Sequence, residues 1–214
     1  MSEIARAYDR WSPSYDEDAN ATRDLDGDVL RRIGLPVEGS AVLELGCGTG
    51  KNTRWLAERA ASVLAFDFSP GMLARARAAL NASHVQFAVQ DIRERWPAPD
   101  ASVDVVVGNL VLEHIDDLTP VYANAARVLR SGGTLYLCEL HPYRQLRGGQ
   151  AHFTDSESGE TIHVPAHMHS VSEYVNTGIE RGFVLTHLGE WHDDGAAENA
   201  LPRLLTVRFQ RSRP

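Results

Sequence analysis

Five short runs rich in β-branched and apolar residues, AVLEL, SVLAF, HVQFAV, SVDVVV and GTLYLCEL, alternate with stretches of helical period such as NTRWLAER, PGMLARARAAL and PVYANAARVL. Such alternation builds βαβ units, because parallel neighbours need a crossover to bring the chain back to the same end of the sheet. The predicted fold is therefore α/β, a doubly wound, mostly parallel sheet. Two more strand-like runs, FVLTHLGEW and LLTVRFQ, joined by a polar loop at His192 to Asn199, add a final pair with one antiparallel strand. Helix boundaries carry their own marks. Ser69-Pro70 reads as a cap and first-turn pair, and Ser131-Gly132-Gly133 as the close of a helix ending at Leu129.

A chain of 214 residues, 43% hydrophobic and 23% charged, suits one domain with one sizeable core. Residues 1–38 read as an N-terminal helical cap, with Leu25, Val29, Leu30 and Ile33 on one helix face ending near Gly34. Residues 41–140 form the ligand-binding half. Residues 141–170, rich in Gly, Ser and His with little periodicity, form an insertion on the substrate side. Residues 171–214 supply a last helix and two strands. The 21 basic residues against 29 acidic ones give a net charge of -8, which disfavours nucleic acid as a partner. The two cysteines, Cys47 and Cys138, read as reduced thiols. The N-terminus has no apolar leader-like region, and no apolar run approaches the ~20 residues of a spanning helix. The expectation is a soluble, cytoplasmic protein without a membrane partner.

The sharpest local feature is VLELGCGTG, Val42 to Gly50, where a buried strand enters closely spaced glycines and then a helix. Gly46, Gly48 and Gly50 let the backbone turn sharply and approach a nucleotide-like ligand with no Cβ in the way. A dinucleotide fingerprint needs glycine where Lys51 stands, and a P-loop needs glycine at Leu45 and Ser or Thr at Asn52. Both phosphate-binding readings are weakened. Asp67, at the end of the second strand, suits a carboxylate that accepts hydrogen bonds from two ribose hydroxyls. The third strand delivers Asp91 and Ile92, an acceptor for an adenine amino group beside an apolar wall for the ring.

In order along Val42 to Pro142, the runs ELGCGTG, FDFSPGML, QDI, VVVGNLVLEHI and RVLRSGGTLYLCELHP resemble the class I S-adenosylmethionine-dependent methyltransferases. The resemblance implies a Rossmann-like sheet and a transferase that moves the methyl group of S-adenosylmethionine, leaving S-adenosylhomocysteine. By position it implies that Glu44, Gly46, Cys47, Gly48 and Gly50 line the methionine part, Asp67 and Phe68 the ribose, and Asp91 with Ile92 the adenine. Asn109 and Leu110 would lie beneath the sulfonium, Met72 on the adenine side, and Tyr15 over the methionine end.

With an activated methyl group already in the cofactor, the protein positions and desolvates the acceptor and, for a hydroxyl or carbon nucleophile, removes a proton. His141, directly after the fifth strand, is the leading base candidate; the alternative is an imidazole that anchors the Pro142 turn. His114, in LEHI, is the second candidate, at a position that in the family supports the site. Arg144 and Arg147 suit a carboxylate- or phosphate-bearing acceptor, or a surface pairing with the acidic body. Trp11, Tyr8 and Tyr15 suit a lid or an ordinary helix-to-sheet contact. His167 and His169, an H-x-H pair among the insertion's histidines, have no Cys or carboxylate at ligand spacing, so no metal is expected. A nucleic-acid amino-methyltransferase would show Pro-Pro and an aromatic where this chain has Leu110-Val111-Leu112. The expected acceptor is a small molecule; protein or peptide methylation and non-catalytic binding of the cofactor stay open.

Overall fold

The computed structural model describes residues 3–155, 158–197 and 199–212. Strands β1 (Ala41–Leu45), β2 (Ser62–Asp67), β3 (Val85–Val89), β4 (Val103–Asn109) and β5 (Leu129–Leu140) run parallel. A small hairpin, β6 (His152–Thr154) with β7 (Thr161–His163), stands apart from them. Strands β8 (Phe183–Trp191) and β9 (Leu204–Arg211) complete a seven-stranded sheet of order β3-β2-β1-β4-β5-β9-β8, in which β9 is antiparallel to both neighbours. Strand order reverses beside β1, so a crevice opens at the carboxyl ends of β1 and β4, the place where such sheets bind ligands.

Helices cover both faces, which is why the central strands read as continuous apolar runs. Leu43, Leu45 and Val106 point to a core shared with α5 (Thr119–Val128) and α7 (Val171–Glu180). Val42, Val105 and Val107 point the other way, under α2 (Ala21–Arg32), α3 (Lys51–Ala57) and α4 (Pro70–Ala79). Local chemistry fixes the helix starts. The Asn20 side chain accepts from the Thr22 and Arg23 amides at 3.0 Å, and Ser69 Oγ accepts from the Met72 amide at 3.1 Å with Pro70 in the first turn.

Two local readings change. Helix α5 stops at Val128, and the Ser131-Gly132-Gly133 segment lies inside β5 as an irregularity, because Val103 pairs with Leu129 but Val105 with Thr134. The left-handed Gly132, φ 77°, carries that bulge and not a helix cap. The insertion is also structured: it holds α6 (Pro142–Leu146) and the β6–β7 hairpin. Three-residue strands are too short to show alternation. Their anchor is tertiary, with Phe153 and Val164 buried against Trp11 of α1 (Glu3–Trp11) and the Phe153 and Trp11 rings stacked at 5.0 Å. Among the described residues no helix is long and apolar enough to cross a membrane.

Gly178 of α7 lies directly on the buried Phe209 ring of β9, where an added Cβ would come within 2.5 Å of Cζ. Gly178→Ala is expected to lower stability by about 1–3 kcal/mol through overpacking. Denaturant unfolding checks this, with ligand affinity per folded molecule unchanged because the contact lies away from the crevice.

Candidate functional site

The turn after β1 uses all three glycines in the left-handed region, Gly46 at φ 64°, Gly48 at 54° and Gly50 at 88°. A Cβ on Gly46 would lie 2.6 Å from Val111 Cγ2, so glycine is needed there for space as well as for φ. Asp67 holds the turn: its Oδ2 accepts from the Gly48 amide at 2.8 Å and its Oδ1 from the Ser69 amide at 2.9 Å. Burial pushes this carboxyl up to about 6, against the backbone N–H groups that stabilise its charge.

Asp67 opens onto two joined cavities. The first is lined by Tyr15, Glu44, Gly46, Cys47, Gly48, Phe68, Met72, Asn109 and Leu110. The second is lined by Asp91 and Ile92, and shares Gly46, Asp67, Phe68, Val111 and His114 with the first. Asp91 is clasped by Arg93, Nη2 to Oδ2 at 2.6 Å, which holds its carboxyl below the usual range. Burial raises Glu44 to about 7, opposed by the Thr53 hydroxyl that donates to it at 2.6 Å.

The first cavity also takes residues that the sequence pattern did not single out, Arg23 and Asp26 from α2 and Asn52 from α3. Asn52 Nδ2 donates to Asp26 at 3.0 Å, and Asn109 Nδ2 donates to its other oxygen. A carboxylate that accepts from both amides turns their oxygens away from itself. Both Oδ1 atoms are buried and without a partner among the described residues. Three oxygen-bearing groups thus gather at one end of the cavity and fit an ammonium group.

A third cavity of about 300 Å³ lies against the first and shares Tyr8, Tyr15, Arg23 and Leu110 with it. Trp11, Glu113, Arg144 and Arg203 belong to its own wall. The N-terminal segment forms a roof. Asp9 Oδ1 accepts from Ser69 Oγ at 2.5 Å and from the Gly71 amide at 2.8 Å, and Thr49 Oγ1 donates to Asp16 at 2.7 Å. His114 latches that roof to the sheet. Its Nδ1 lies 2.9 Å from the Pro165 carbonyl, which can only accept, so Nε2 is free to accept the Tyr8 hydroxyl at 2.7 Å. Glu113, one residue earlier, is buried with a long 3.4 Å hydrogen bond from Gln145, and burial pushes it up to about 7.

Three expected residues are not brought to these walls. His141 is fully buried: Nδ1 accepts from the Tyr143 amide at 3.2 Å, and Nε2 lies 3.0 Å from Glu190. It anchors the Pro142 turn, the alternative weighed for it above. Gly50 caps α3 and packs on Ala76, and Arg147 is exposed at the end of α6. Of the H-x-H pair, His169 has both nitrogens engaged, by Glu173 at 2.7 Å and the Ile115 carbonyl at 2.6 Å.

A family model described as a methyltransferase domain matches residues 43–137. An uncharacterized methyltransferase of Emericella nidulans is 32% identical over 223 residues, covering 87% of this chain and 77% of that protein. A malonyl-[acyl-carrier protein] O-methyltransferase of Serratia marcescens is 38% identical over 137 residues, 64% of this chain; the match spans about half, 52%, of that longer protein. Among solved structures, an S-adenosylmethionine dependent methyltransferase from Mesorhizobium loti superposes with a TM-score of 0.74 at 26% identity, covering 86% of this chain and 96% of that one. The N-methyltransferase NodS from Bradyrhizobium japonicum, in complex with S-adenosyl-L-homocysteine, shares the fold with a TM-score of 0.70 at 21% identity, covering 98% and 97%.

Burial lowers the His114 imidazole to about 4. It is therefore expected to stay neutral, with the proton on Nδ1, from pH 5 upward. Nitrogen chemical shifts across a pH titration check this; an imidazolium signal near neutrality would overturn the latch geometry.

Proposed function

We propose, from the premise that this chain belongs to the class I S-adenosylmethionine-dependent methyltransferases, that it passes a methyl group to a small molecule seated in the third cavity. The observation that carries the reading is the contiguity of the three cavities across Asp67 and Leu110. A bound cofactor supplies a sulfonium-activated methyl group. Asp26, Asn52 and Asn109 hold its ammonium group, and Arg23 its carboxylate. Asp67 accepts from the ribose hydroxyls beside Phe68, and Asp91 and Ile92 take the adenine. Tyr15 and Leu110 flank the boundary that the methyl group crosses. A cavity of about 300 Å³ stands at the small end of ligand pockets, which favours a metabolite-sized acceptor over a peptide or nucleic-acid strand.

The proton-accepting role goes to Glu113 in this reading. It is a buried carboxylate on the acceptor wall, and the chain sets it directly after Leu110-Val111-Leu112 at the end of β4. Neutral His114 keeps Tyr8 and the roof in place and takes no proton itself. His141 acts outside the reaction. The roof and the hairpin exclude water from the transfer path, which keeps the activated methyl group from hydrolysis.

Incubation with methyl-labelled S-adenosylmethionine and a cell extract is expected to place label in the small-molecule fraction; label in protein or nucleic acid would overturn the acceptor class. With the acceptor in hand, Glu113→Gln should lower kcat by about 10²–10⁴. It should also remove a rate increase with pH through about 7, the range in which the buried carboxyl becomes ionised. Asp67→Asn should weaken S-adenosylhomocysteine binding by about 1.5–3 kcal/mol for each charged hydrogen bond lost. In the unsubstituted protein the affinity should fall as pH drops through about 6, because the protonated carboxyl no longer accepts from both hydroxyls. Calorimetry across pH checks both, and native affinity in the variant would sink the ribose assignment.

A further inference from the structure

The third cavity gathers guanidinium groups on its wall inside a negatively charged protein. Net charge is -8 over the whole chain, yet this wall carries Arg144 and Arg203 besides the Arg23 assigned above to the cofactor's carboxylate, with Glu113 as its acid among the described residues. Asp193, outside the wall, accepts from Arg144 Nη2 at 3.1 Å and from Arg203 Nη2 at 2.8 Å. Two guanidinium groups therefore share one carboxylate and keep a unit of positive charge. Both are held in place. Arg203 Nη1 donates to Thr22 Oγ1 at 3.0 Å, and Arg144 reaches the Pro202 carbonyl at 3.4 Å and the Leu201 carbonyl at 3.3 Å. Guanidinium groups held in this way present their remaining N–H groups to an anion without first having to be ordered, and a concave wall concentrates their field.

Arg144 and Arg203 line the third cavity and not the first, whereas Tyr8, Tyr15, Arg23 and Leu110 line both. The charged pair thus belongs to the third cavity's own wall, apart from the part it shares with the first. Trp11 and Tyr15 add aromatic rings to the same cavity, meeting edge to face at 4.7 Å.

We propose that the acceptor is a small oxyanion, a carboxylate or a phosphoryl compound, whose charge sits on Arg144 and Arg203 while its nucleophilic atom faces the Tyr8–Leu110 boundary. This rests on the methyl-transfer reading above. In the transfer, a lone pair on that atom forms the new bond to the methyl carbon as the carbon–sulfur pair returns to sulfur. The nucleophile's proton, where it has one, passes to the Glu113 carboxylate.

The test is calorimetric titration of the full chain, with and without S-adenosylhomocysteine, using benzoate, phenylphosphonate and uncharged benzyl alcohol as probes. At least one anion is expected to bind about tenfold tighter than benzyl alcohol, a difference of about 1.4 kcal/mol. Which of the two binds tighter distinguishes the carboxylate from the phosphoryl source. The preference should shrink as salt screens the pair. It should vanish in an Arg144→Gln, Arg203→Gln double variant that keeps its affinity for S-adenosylhomocysteine. Equal binding of benzyl alcohol, a preference that survives in the folded double variant, or no saturable binding of either anion would overturn the proposal. The wild-type comparison stands even where the double variant does not fold. Loss of S-adenosylhomocysteine binding by the unsubstituted chain is a separate result and counts against the methyl-transfer reading, while the titrations without it still decide the anion preference.

Discussion

The carboxylate of Asp67 is the interaction from which the ligand side of the molecule is built. A buried carboxylate is costly unless N–H groups meet its charge, and here the amides of Gly48 and Ser69 do so from two different loops. By accepting both, Asp67 fixes the glycine turn after β1 relative to the start of α4. Ser69 then acts in turn, since its hydroxyl caps α4 at the Met72 amide and donates to Asp9 of α1. Helix α1 carries Tyr8, Tyr8 is latched to His114, and His114 to the Pro165 carbonyl in the insertion. A continuous chain of hydrogen bonds therefore runs from the sheet through the roof to the insertion.

The β4 side is held differently, by strain and a second buried acid. Leu110 sits at φ 53°, a conformation that costs a residue with a Cβ about 1–3 kcal/mol. What offsets the strain is local. The Leu110 amide donates to the Cys138 carbonyl at 2.8 Å, and Glu139 Oε1 accepts from the Val111 and Leu112 amides at 3.3 and 3.1 Å. The tight turn that results sends neighbouring residues to different chambers. His114 reaches the first two cavities and Glu113 the third, which is how one short segment lines all three.

The sheet was legible because its information is local: period, glycine placement and a capping serine each act within a few residues. Asp67, Asp91 and Asn109 were legible for the same reason, as strand ends in a sheet whose carboxyl ends bind ligands. Asp26 and Arg203 were not. Asp26 lies on a polar helix and becomes a site residue only when Asn52 and Asn109 close on it from α3 and β4. Arg203 lies just before β9, and its role depends on Thr22, 181 residues away. His141 shows the opposite failure. It does follow β5 directly, at the carboxyl end of the sheet, but the side chain turns back to cap the amide of Tyr143 and reach Glu190 on β8. Position along a strand gives the end of the sheet; it does not give the rotamer.

These differences follow from how the two halves of the site are made. The cofactor half is tied by hydrogen bonds between strand ends and adjoining loops, so a change at Asp67 or Gly46 disturbs the fold of the crevice itself. The third cavity is assembled from Trp11 on the roof, Glu113 after β4, Arg144 on α6 and Arg203 before β9, four segments that meet at its wall. Glu113, Arg144 and Arg203 take no part in the Asp67 chain of hydrogen bonds, whereas Trp11 shares α1 with Tyr8 and Asp9. The crevice around Asp67 is therefore built where the sequence is most readable, and the third cavity where long-range packing decides. Leu110, on the wall of both chambers, is where the two must agree, and the hydrogen bonds to Cys138 and Glu139 that offset its strained backbone hold that shared wall in place.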